Sequence, residues 1–348
     1  MTESTILAAG DEFVLPGLFT RALRAELGDG PGVRELALPW PSVPFGPVSE
    51  VDEAAGDEGR LIEALSGADV AVTHLAPFTE KVLAAAPDLR MIAVSRGGPV
   101  NVNLDAATRN GVAVSYAPGR NANAVAEFTI GLIIATCRNI TAGGDAINAG
   151  DWHARYFAYG AAGSELHGST VGLIGYSAVG RRVARLLSAF GATVLAYDPY
   201  VDRSDFADGV VKVDDLEALL AASRIVSLHQ RLTPQTRGMI GAAQLAAMPR
   251  GSVLINTARG GVLDYDALCD ALDSGQLGSC GLDVHPTEPL PLDSRLRRTP
   301  NVVLTPHIAG CSRDVATLAA TICAGETGRW LRGEPLAHCA NPEVLKEI

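Results

Sequence analysis

The sequence predicts an α/β protein in which the strands of parallel sheets alternate with helices. Short apolar runs recur along the whole chain, and segments with helical patterns lie between most of them. The gaps are long enough for the crossover helix that joins two parallel strands. The chain has 348 residues, 47% hydrophobic and 19% charged, so it is folded and longer than one ordinary domain. We therefore expect two doubly wound domains.

The first part of the chain is predicted to form five strands. They are expected at residues 6–9, 33–38, 70–73, 91–94 and 112–115, with helices at 16–27 and 79–86. Residues 39–59 are rich in Pro, Gly and acidic residues and are expected to form a surface loop. An apolar-rich pattern then predicts one long helix over 123–149, ended by Gly150, that bridges two domains.

The second part repeats the alternation with clearer signals. Six strands are expected at residues 171–174, 193–197, 225–228, 252–256, 280–284 and 302–305. Nearly every gap between them can hold a crossover helix, as a doubly wound fold requires. A closing helix is predicted over 312–331, and prolines at 335 and 342 break the chain after it.

Charge and cysteine usage exclude several classes of function. A net charge of −11 without any basic run argues against a nucleic-acid partner. The longest apolar stretch, 128–137, is too short to span a membrane and predicts a buried helix. The N-terminus lacks the pattern of a secretory signal, which favours the cytoplasm. Six scattered cysteines without metal-ligand spacing predict neither a metal site nor a disulfide framework.

The stretch VGLIGYSAVGRRVARLL predicts a strand that enters a helix through a glycine turn. In a dinucleotide fingerprint the first glycine makes the turn, the second admits the pyrophosphate and the third lets helix and strand pack closely. Gly175 and Gly180 fill the outer positions, while Ser177 replaces the middle glycine. Its hydroxyl could itself donate to a phosphate at the positive end of the helix. The cofactor contacts are predicted for Gly175, Ser177, Ala178, Val179 and Gly180.

The next predicted strand strengthens this interpretation. The sequence TVLAYDPY ends that strand with Asp198, whose carboxylate can accept both hydroxyls of the adenosine ribose. Pro199 and Tyr200 follow it where an arginine would receive a 2′-phosphate, so NAD is favoured over NADP. The structural alternatives are an ordinary strand-to-helix turn and a turn aspartate before proline.

Three further stretches complete the pattern: LINTARGGVLD at 254–264, GLDVHPTEPLP at 281–291 and LTPHIAG at 304–310. With the glycine turn, the chain resembles the D-isomer-specific 2-hydroxyacid dehydrogenases, the family that includes D-3-phosphoglycerate dehydrogenase and glyoxylate/hydroxypyruvate reductases. The likeness covers essentially the whole chain, most strongly from about residue 120.

The resemblance implies a specific domain organisation. A flavodoxin-like substrate-binding domain comprises residues 1–120 and 310–348, and a Rossmann NAD-binding domain at 121–309 is inserted into it. The active site is expected in a cleft between them, where hinge closure expels water. Members of the family commonly dimerise through the inserted domain, so a homodimer is expected.

The reaction of the family assigns roles to three residues. Reducing a 2-oxo acid requires a group that holds the carboxylate, a hydride source and an acid for the developing alkoxide. The resemblance implies that Arg259 holds the carboxylate, His307 is the general acid/base and Glu288 orients the imidazole and favours its charged form. Taken singly, each could instead be structural: a turn arginine, a loop histidine and a solvated acid.

Other positions are implied to contact the cofactor. Asp283 matches a position near the nicotinamide amide, and Thr236 and Thr257 match cofactor-contacting positions. Arg231 stands where a small apolar residue or proline is common, and it could touch a ligand or lie outside the site.

The loop SRGGPVNVN departs from the family. A glycine-rich loop usually presents backbone amides to the substrate carboxylate here, and in this chain it is two residues shorter. Substrate contacts are predicted for Arg96, Gly97 and Gly98 as well as Arg259. Arg96 is hypothesised to bind a second anionic or polar group on the substrate, such as a phosphate; the alternative is a structural arginine paired with a nearby acid. The segment 152–167 is also longer than usual, and its aromatic residues line the cleft or cover the hinge.

The sequence leaves competing functions open. The leading hypothesis is an NAD-dependent oxidoreductase acting on a D-2-hydroxy acid. The C-terminal-binding proteins use the same fold as NAD-sensing corepressors that bind partner peptides, and they resemble the enzymes at the catalytic trio. A scaffold that Ser177 prevents from binding NAD is the third possibility.

Overall fold

The computed structural model describes residues 4–41, 46–152 and 154–346. The extreme N-terminus, residues 42–45 of the predicted 39–59 loop and His153 of the predicted 152–167 segment therefore lie outside the described residues. The chain divides into two compact units. The first consists of residues 1–120 together with 311–348, and the second consists of 121–310. Gly310 therefore lies with the second unit, one residue beyond the boundary expected from the sequence.

The first unit is built on a five-stranded sheet in which every pairing is parallel. Its strands are β1 Thr5–Gly10, β2 Gly32–Ala37, β3 Val70–Thr73, β4 Met91–Val94 and β5 Ala113–Tyr116. Its first helices are α1 Pro16–Leu27, α2 Glu58–Leu65, α3 Glu80–Ala84 and α4 Leu104–Arg109. The strand order β2-β1-β3-β4-β5 is that of flavodoxin-like folds. The fold predicted for this part is confirmed.

The second unit contains a seven-stranded parallel sheet. Its strands are β6 Thr170–Ile174, β7 Thr193–Tyr197, β8 Val210–Lys212, β9 Ile225–Leu228, β10 Ser252–Asn256, β11 Leu277–Leu282 and β12 Val302–Leu304. Its helices are α5 Ala122–Cys137, α6 Ile140–Asn148, α7 Ala178–Ala189, α8 Leu216–Ala222, α9 Ala242–Ala247 and α10 Tyr265–Asp273.

The order β12-β11-β10-β9-β6-β7-β8 is the Rossmann order with one strand added beyond its end. The connection reverses direction between β6 and β9, and ligands of such sheets bind at the carboxyl ends of strands beside this point. Strand β8 was not predicted, because its three residues, none of them buried, carry too little pattern to be recognised.

The prediction of a single long helix over 123–149 is wrong, because the structure has two helices there. Helix α5 ends at Cys137, α6 begins at Ile140, and the two axes differ by 66°. Between them Asn139 adopts the left-handed conformation, with φ 55°, which asparagine reaches more readily than most residues. Helix α5 packs its apolar side chains into the core of this unit, whereas α6 buries none of its residues.

No single helix in the described part of the chain is long and apolar enough to cross a membrane. Only α5 and α6 together reach the required length and composition, and the bend separates them.

The chain returns to the first unit as α11, Arg313–Leu331, which packs with α1 over one face of the sheet through Ala316, Ala320 and Cys323. The two ends of the second unit are neighbours. A Cβ atom added to Gly310 would lie 2.8 Å from the side-chain nitrogen of Asn121, so only glycine allows these two residues to approach so closely.

Candidate active site

The glycine turn after β6 has the close contacts that the fingerprint requires. Gly175 has φ 98°, and a Cβ atom there would lie 2.6 Å from the backbone nitrogen of Gln230. A Cβ on Gly180 would lie 2.2 Å from the carbonyl oxygen of Gly175, so only glycine lets α7 approach the turn. Both outer positions therefore need glycine for the reasons that a dinucleotide turn requires.

Ser177 fits this turn without backbone strain. It is the N-cap of α7, with φ −90° and an extended backbone that any residue adopts. The residue is exposed and its side chain makes no capping hydrogen bond. Its hydroxyl thus lies at the helix end where the partial positive charge favours a phosphate.

Asp198, directly after β7, is joined to the same turn. Its Oδ2 atom accepts a hydrogen bond of 2.8 Å from the backbone N–H of Tyr176, and its Oδ1 atom accepts one of 3.0 Å from Tyr200. The residue is half-buried, so each oxygen keeps a lone pair for a further donor. Asp198 therefore does have the structural role in the turn that was given as the alternative, and these hydrogen bonds orient its carboxylate.

These features fit the adenosine and diphosphate parts of a dinucleotide. The glycines of the turn let β6, α7 and the residues after β9 approach one another closely, and the start of α7 is exposed. The Asp198 carboxylate is fixed beside the turn. Gly175, Ser177, Ala178, Val179 and Gly180 form the turn and the first residues of the helix, where such a cofactor would be held.

A second turn, after β10, carries Arg259. Asn256 is fully buried, accepts a hydrogen bond from the Ala258 N–H at 3.0 Å and donates one to the Arg259 carbonyl at 3.1 Å. A Cβ on Gly260 would lie 1.9 Å from the carbonyl oxygen of His285, so glycine is required here too. The guanidinium is exposed, and within the described chain no carboxylate lies within ion-pair distance of it. Arg259 thus presents a fixed, uncompensated cation.

His307 and Glu288 form a hydrogen-bonded pair. The Nδ1 atom of His307 lies 2.7 Å from Oε2 of Glu288, and the two side chains are 45% and 26% exposed. The other carboxylate oxygen accepts the His285 N–H at 3.0 Å. Burial raises the pKa of Glu288, but the hydrogen bonds from His307 and His285 outweigh it and hold the pKa below its ordinary value. A charged carboxylate only accepts, so Nδ1 carries a hydrogen and donates it to Glu288, while the Nε2–H position of the charged ring faces a substrate.

Asp283 holds the turn on which His307 lies. It is fully buried after β11, and its carboxylate accepts hydrogen bonds from Thr305 Oγ1 at 2.7 Å, Ile308 N at 2.9 Å and Ala309 N at 2.8 Å. His307 itself has φ 57°, a conformation that costs free energy for a residue with a side chain. Asp283 therefore keeps the histidine in a strained but defined position.

The structure brings Arg259, Glu288 and His307 to one region of the second unit through a chain of contacts. Gly260, next to Arg259, packs on His285, whose N–H binds Glu288, which in turn binds His307. This continuity links three positions that are far apart in sequence.

The two threonines implied to contact the cofactor already have partners. The hydroxyl of Thr257 lies 2.8 Å from that of Thr129 on α5. Thr236 donates to the Arg231 carbonyl at 2.6 Å and accepts the Thr233 N–H at 2.8 Å, which closes the turn after β9. Both side chains thus have structural contacts, and a role toward a cofactor remains a prediction.

The predicted substrate loop lies in the first unit. Arg96 forms an ion pair with Glu53, 43 residues earlier in the chain, and also contacts the Glu53 carbonyl. This is the structural alternative given for Arg96. Gly97 and Gly98 have open space around them, so the backbone there is accessible but no close approach demands glycine.

Sequence reasoning missed two features of the second unit. Asn256 was assigned no role, although its amide shapes the turn of Arg259, and its position as the last residue of a strand was the available signal. Nδ1 of His229 and the amide of Gln230, which have no partner among residues 4–41, 46–152 and 154–346, were also missed, because nothing in a sequence indicates which polar atoms lack partners.

Comparisons with known proteins identify the family. Residues 130–309 match the model described as "D-isomer specific 2-hydroxyacid dehydrogenase, NAD binding domain". The chain is 36% identical over 304 residues to a D-3-phosphoglycerate dehydrogenase of Methanocaldococcus jannaschii, matching 86% of this chain but only 57% of that protein's length. It is also 36% identical to a glyoxylate reductase of Korarchaeum cryptofilum, covering 85% of this chain and 89% of the relative.

A solved structure agrees with these matches. A glyoxylate reductase from Paecilomyes thermophila superposes with a TM-score of 0.74 at 27% identity, covering 99% of this chain and 100% of the other. The chain belongs to the D-isomer-specific 2-hydroxyacid dehydrogenases, and its second unit is an NAD-binding domain of that family.

Proposed function

We propose that the protein is an NAD-dependent oxidoreductase that interconverts a D-2-hydroxy acid and its 2-oxo acid. The observation that carries the proposal is the His307–Glu288 pair at 2.7 Å, held by Asp283 and joined through His285 to the turn of Arg259. A cationic fork and a carboxylate-supported imidazole are the groups that reduction of a 2-oxo acid needs from a protein.

The mechanism assigns one task to each residue. Arg259 binds the substrate carboxylate through its guanidinium, which fixes the orientation of the 2-oxo group. NAD(H), which the turn of Gly175 and Gly180 and the Asp198 carboxylate would hold, would supply the hydride for the carbonyl carbon when bound. His307 donates its Nε2 proton to the carbonyl oxygen as negative charge develops there, and it recovers the proton when the reaction runs in reverse. Glu288 stabilises the charged imidazole and fixes its orientation through Nδ1.

The first unit is proposed as the substrate-binding domain and residues 121–309 as the cofactor domain. The accessible backbone at Gly97 and Gly98 supports contacts with the substrate. Because Glu53 already neutralises Arg96, the arrangement favours a simple 2-oxo acid over one with a second anionic group. The relatives of this chain are named as a dehydrogenase and reductases, which favours catalysis over the corepressor-like alternative.

The test is a screen of NADH oxidation with glyoxylate, hydroxypyruvate, pyruvate and phosphorylated 2-oxo acids, run in parallel with His307→Ala. We expect turnover of at least one plain 2-oxo acid and a loss of about a thousandfold in kcat in the variant, because the proton donor is removed. The Kd for NADH, from fluorescence, should stay unchanged. Absence of turnover together with binding of short peptides would support the corepressor alternative instead.

We propose a homodimer in solution. Around α6 the second unit exposes large apolar side chains, namely Ile140, Ile147, Trp152, Phe157 and Tyr159, and α6 buries none of its own residues. A cluster of this kind indicates a protein–protein contact. Sedimentation equilibrium should give twice the chain mass for the wild type and the chain mass for Ile147→Glu; a monomeric wild type contradicts the proposal.

A further inference from the structure

Three buried polar atoms have no partner in the described part of the chain at the end of β9. They are Nδ1 of His229 and both polar atoms of the Gln230 carboxamide, Oε1 and Nε2. Buried polar atoms are nearly always hydrogen-bonded, because leaving one unpaired costs the free energy of its lost hydration. A whole carboxamide without partners therefore requires an explanation.

These atoms belong to residues that border the glycine turn. Strand β9 pairs with β6, so Leu228 lies beside Ile174 and the residues after the two strands are neighbours. The backbone nitrogen of Gln230 would be 2.6 Å from a Cβ on Gly175, and the Cβ of His229 3.9 Å from one on Gly180. The pair His229–Gln230 thus contacts both glycines past which the diphosphate of a dinucleotide runs.

The chemistry of this pair is polar but uncharged. Burial lowers the pKa of His229 to about 4, so the imidazole is neutral, and its Nε2 lies 2.9 Å from Ser227 Oγ. A carboxamide offers both a donor and an acceptor. Phosphate oxygens accept from such an amide, and ribose hydroxyls donate to it and accept from it, which matches ADP-ribose.

A structural role does not account for the amide. Gln276 in the same unit illustrates one: its Nε2 donates to the carbonyls of Met248 at 2.7 Å and Leu245 at 3.1 Å. Gln230 makes no such bond to any residue that the structure describes, yet as a residue it is only half-buried. Rotation about its side-chain bonds can therefore bring the amide to a ligand without any backbone change.

We propose that the Gln230 carboxamide binds the ADP-ribose part of NAD(H), turning from its covered position to the diphosphate and ribose beside Gly175. The inference rests on the proposed function only through the cofactor, not through the substrate or the catalytic trio. It adds a side-chain contact beside the turn in which Ser177 replaces the middle glycine.

The test measures the affinity for NADH, which the proposal expects to fall in the variant, and the stability of the ligand-free protein, which it expects not to fall. Gln230→Met keeps the length of the side chain but removes both polar atoms. We expect the Kd for NADH to rise about tenfold, the effect of one hydrogen bond to a charged group. The Tm of the ligand-free variant should stay equal or rise, because two unpaired polar atoms leave the interior. The Kd for ADP-ribose should rise by the same factor.

Gln276→Met is the matched control, since it removes an amide whose donors are bonded. Its Tm should fall while its Kd for NADH stays at the wild-type value. The inference is overturned if Gln230→Met binds NADH within twofold of the wild type, if its ligand-free Tm falls as that of Gln276→Met does, or if ADP-ribose binding is unaffected. Because the readouts are binding and stability, failure of the wild type to reduce any 2-oxo acid contradicts the proposed reaction and leaves this inference standing.

Discussion

Different interactions fix two regions of the molecule: the turns that follow the carboxyl ends of the strands in the second unit, and the loop after β4 in the first unit. At the edge, buried side chains bind backbone groups: Asn256 fixes the turn of Arg259, and Asp283 fixes the turn of His307. In the loop, Arg96 is held by an ion pair with a half-exposed glutamate, and the hydroxyl of Ser95 is buried without a partner in the described chain.

The difference indicates how each region responds to change. Loss of a buried carboxylate leaves its donors unpaired, at about 1–3 kcal/mol for each. An ion pair with a solvent-exposed partner contributes about 0–1 kcal/mol. We therefore expect the geometry of the reacting groups to be tightly fixed and the loop of Arg96 to tolerate substitution.

The sharpest test of this contrast is Asp283→Ala. Three donors lose their acceptor, so we expect a loss of about 3 kcal/mol or more in the free energy of unfolding. Release of the His307 turn should also lower kcat about a hundredfold. Denaturant unfolding and steady-state kinetics measure the two effects.

Asp264→Ala is the control, because Asp264 caps α10 with two backbone hydrogen bonds and, in the described chain, none joins it to the turn of His307. It should destabilise the protein by about 1 kcal/mol without affecting kcat. An unchanged kcat in Asp283→Ala would mean that the turn of His307 does not depend on this carboxylate.

An intermediate effect is expected for Glu288→Gln. The pKa of Glu288 is held below its ordinary value, so the pair with His307 contributes stability above the unfolded pKa and loses it as the pH falls through the lowered pKa. The wild type should therefore lose both stability and activity on the acid side, whereas the variant lacks that transition. We expect kcat to fall about tenfold near neutral pH, because the charged imidazole loses its counter-charge. If kcat and stability fall at the same acidic pH in the wild type and in Glu288→Gln, Glu288 does not support His307 in this way.

The smallest effect is expected for Arg96→Ala. Since the Arg96 guanidinium already forms an ion pair with Glu53, kcat/KM should change by about threefold or less in the variant. The change should be equal for plain and phosphorylated 2-oxo acids. Glu53→Gln is the matched variant, because it removes the negative charge that pairs with Arg96 and keeps the guanidinium. A selective loss on phosphorylated substrates in Arg96→Ala would instead make Arg96 the site of a second anionic group.

How far the sequence predicts this molecule depends on whether a signal is local. The two-domain α/β fold and the family were predicted, because strand patterns, glycine turns and the motifs around Arg259, Glu288 and His307 are contiguous. The break at Asn139 was missed, since the apolar pattern continues across it and a single left-handed residue leaves no periodic trace.

Long-range contacts account for most of what was not predicted at the site. The partner of Arg96 lies 43 residues away, and the acceptor that holds the His307 turn lies more than 20 residues before it. That the amide of Gln230 has no partner in the described chain becomes visible only in the folded structure, because it is defined by missing contacts. Such properties belong to the packed structure and not to any segment.

The contact between Asn121 and Gly310 has a consequence for the origin and reuse of the inserted unit. A domain whose first and last residues lie side by side can be inserted into a surface loop of another protein without distorting that protein. It can also be removed, because the two residues that flank it in the receiving protein are then close enough to be joined. The second unit therefore has the geometry of an insertable domain, so a single genetic insertion could transfer NAD binding from one protein to another.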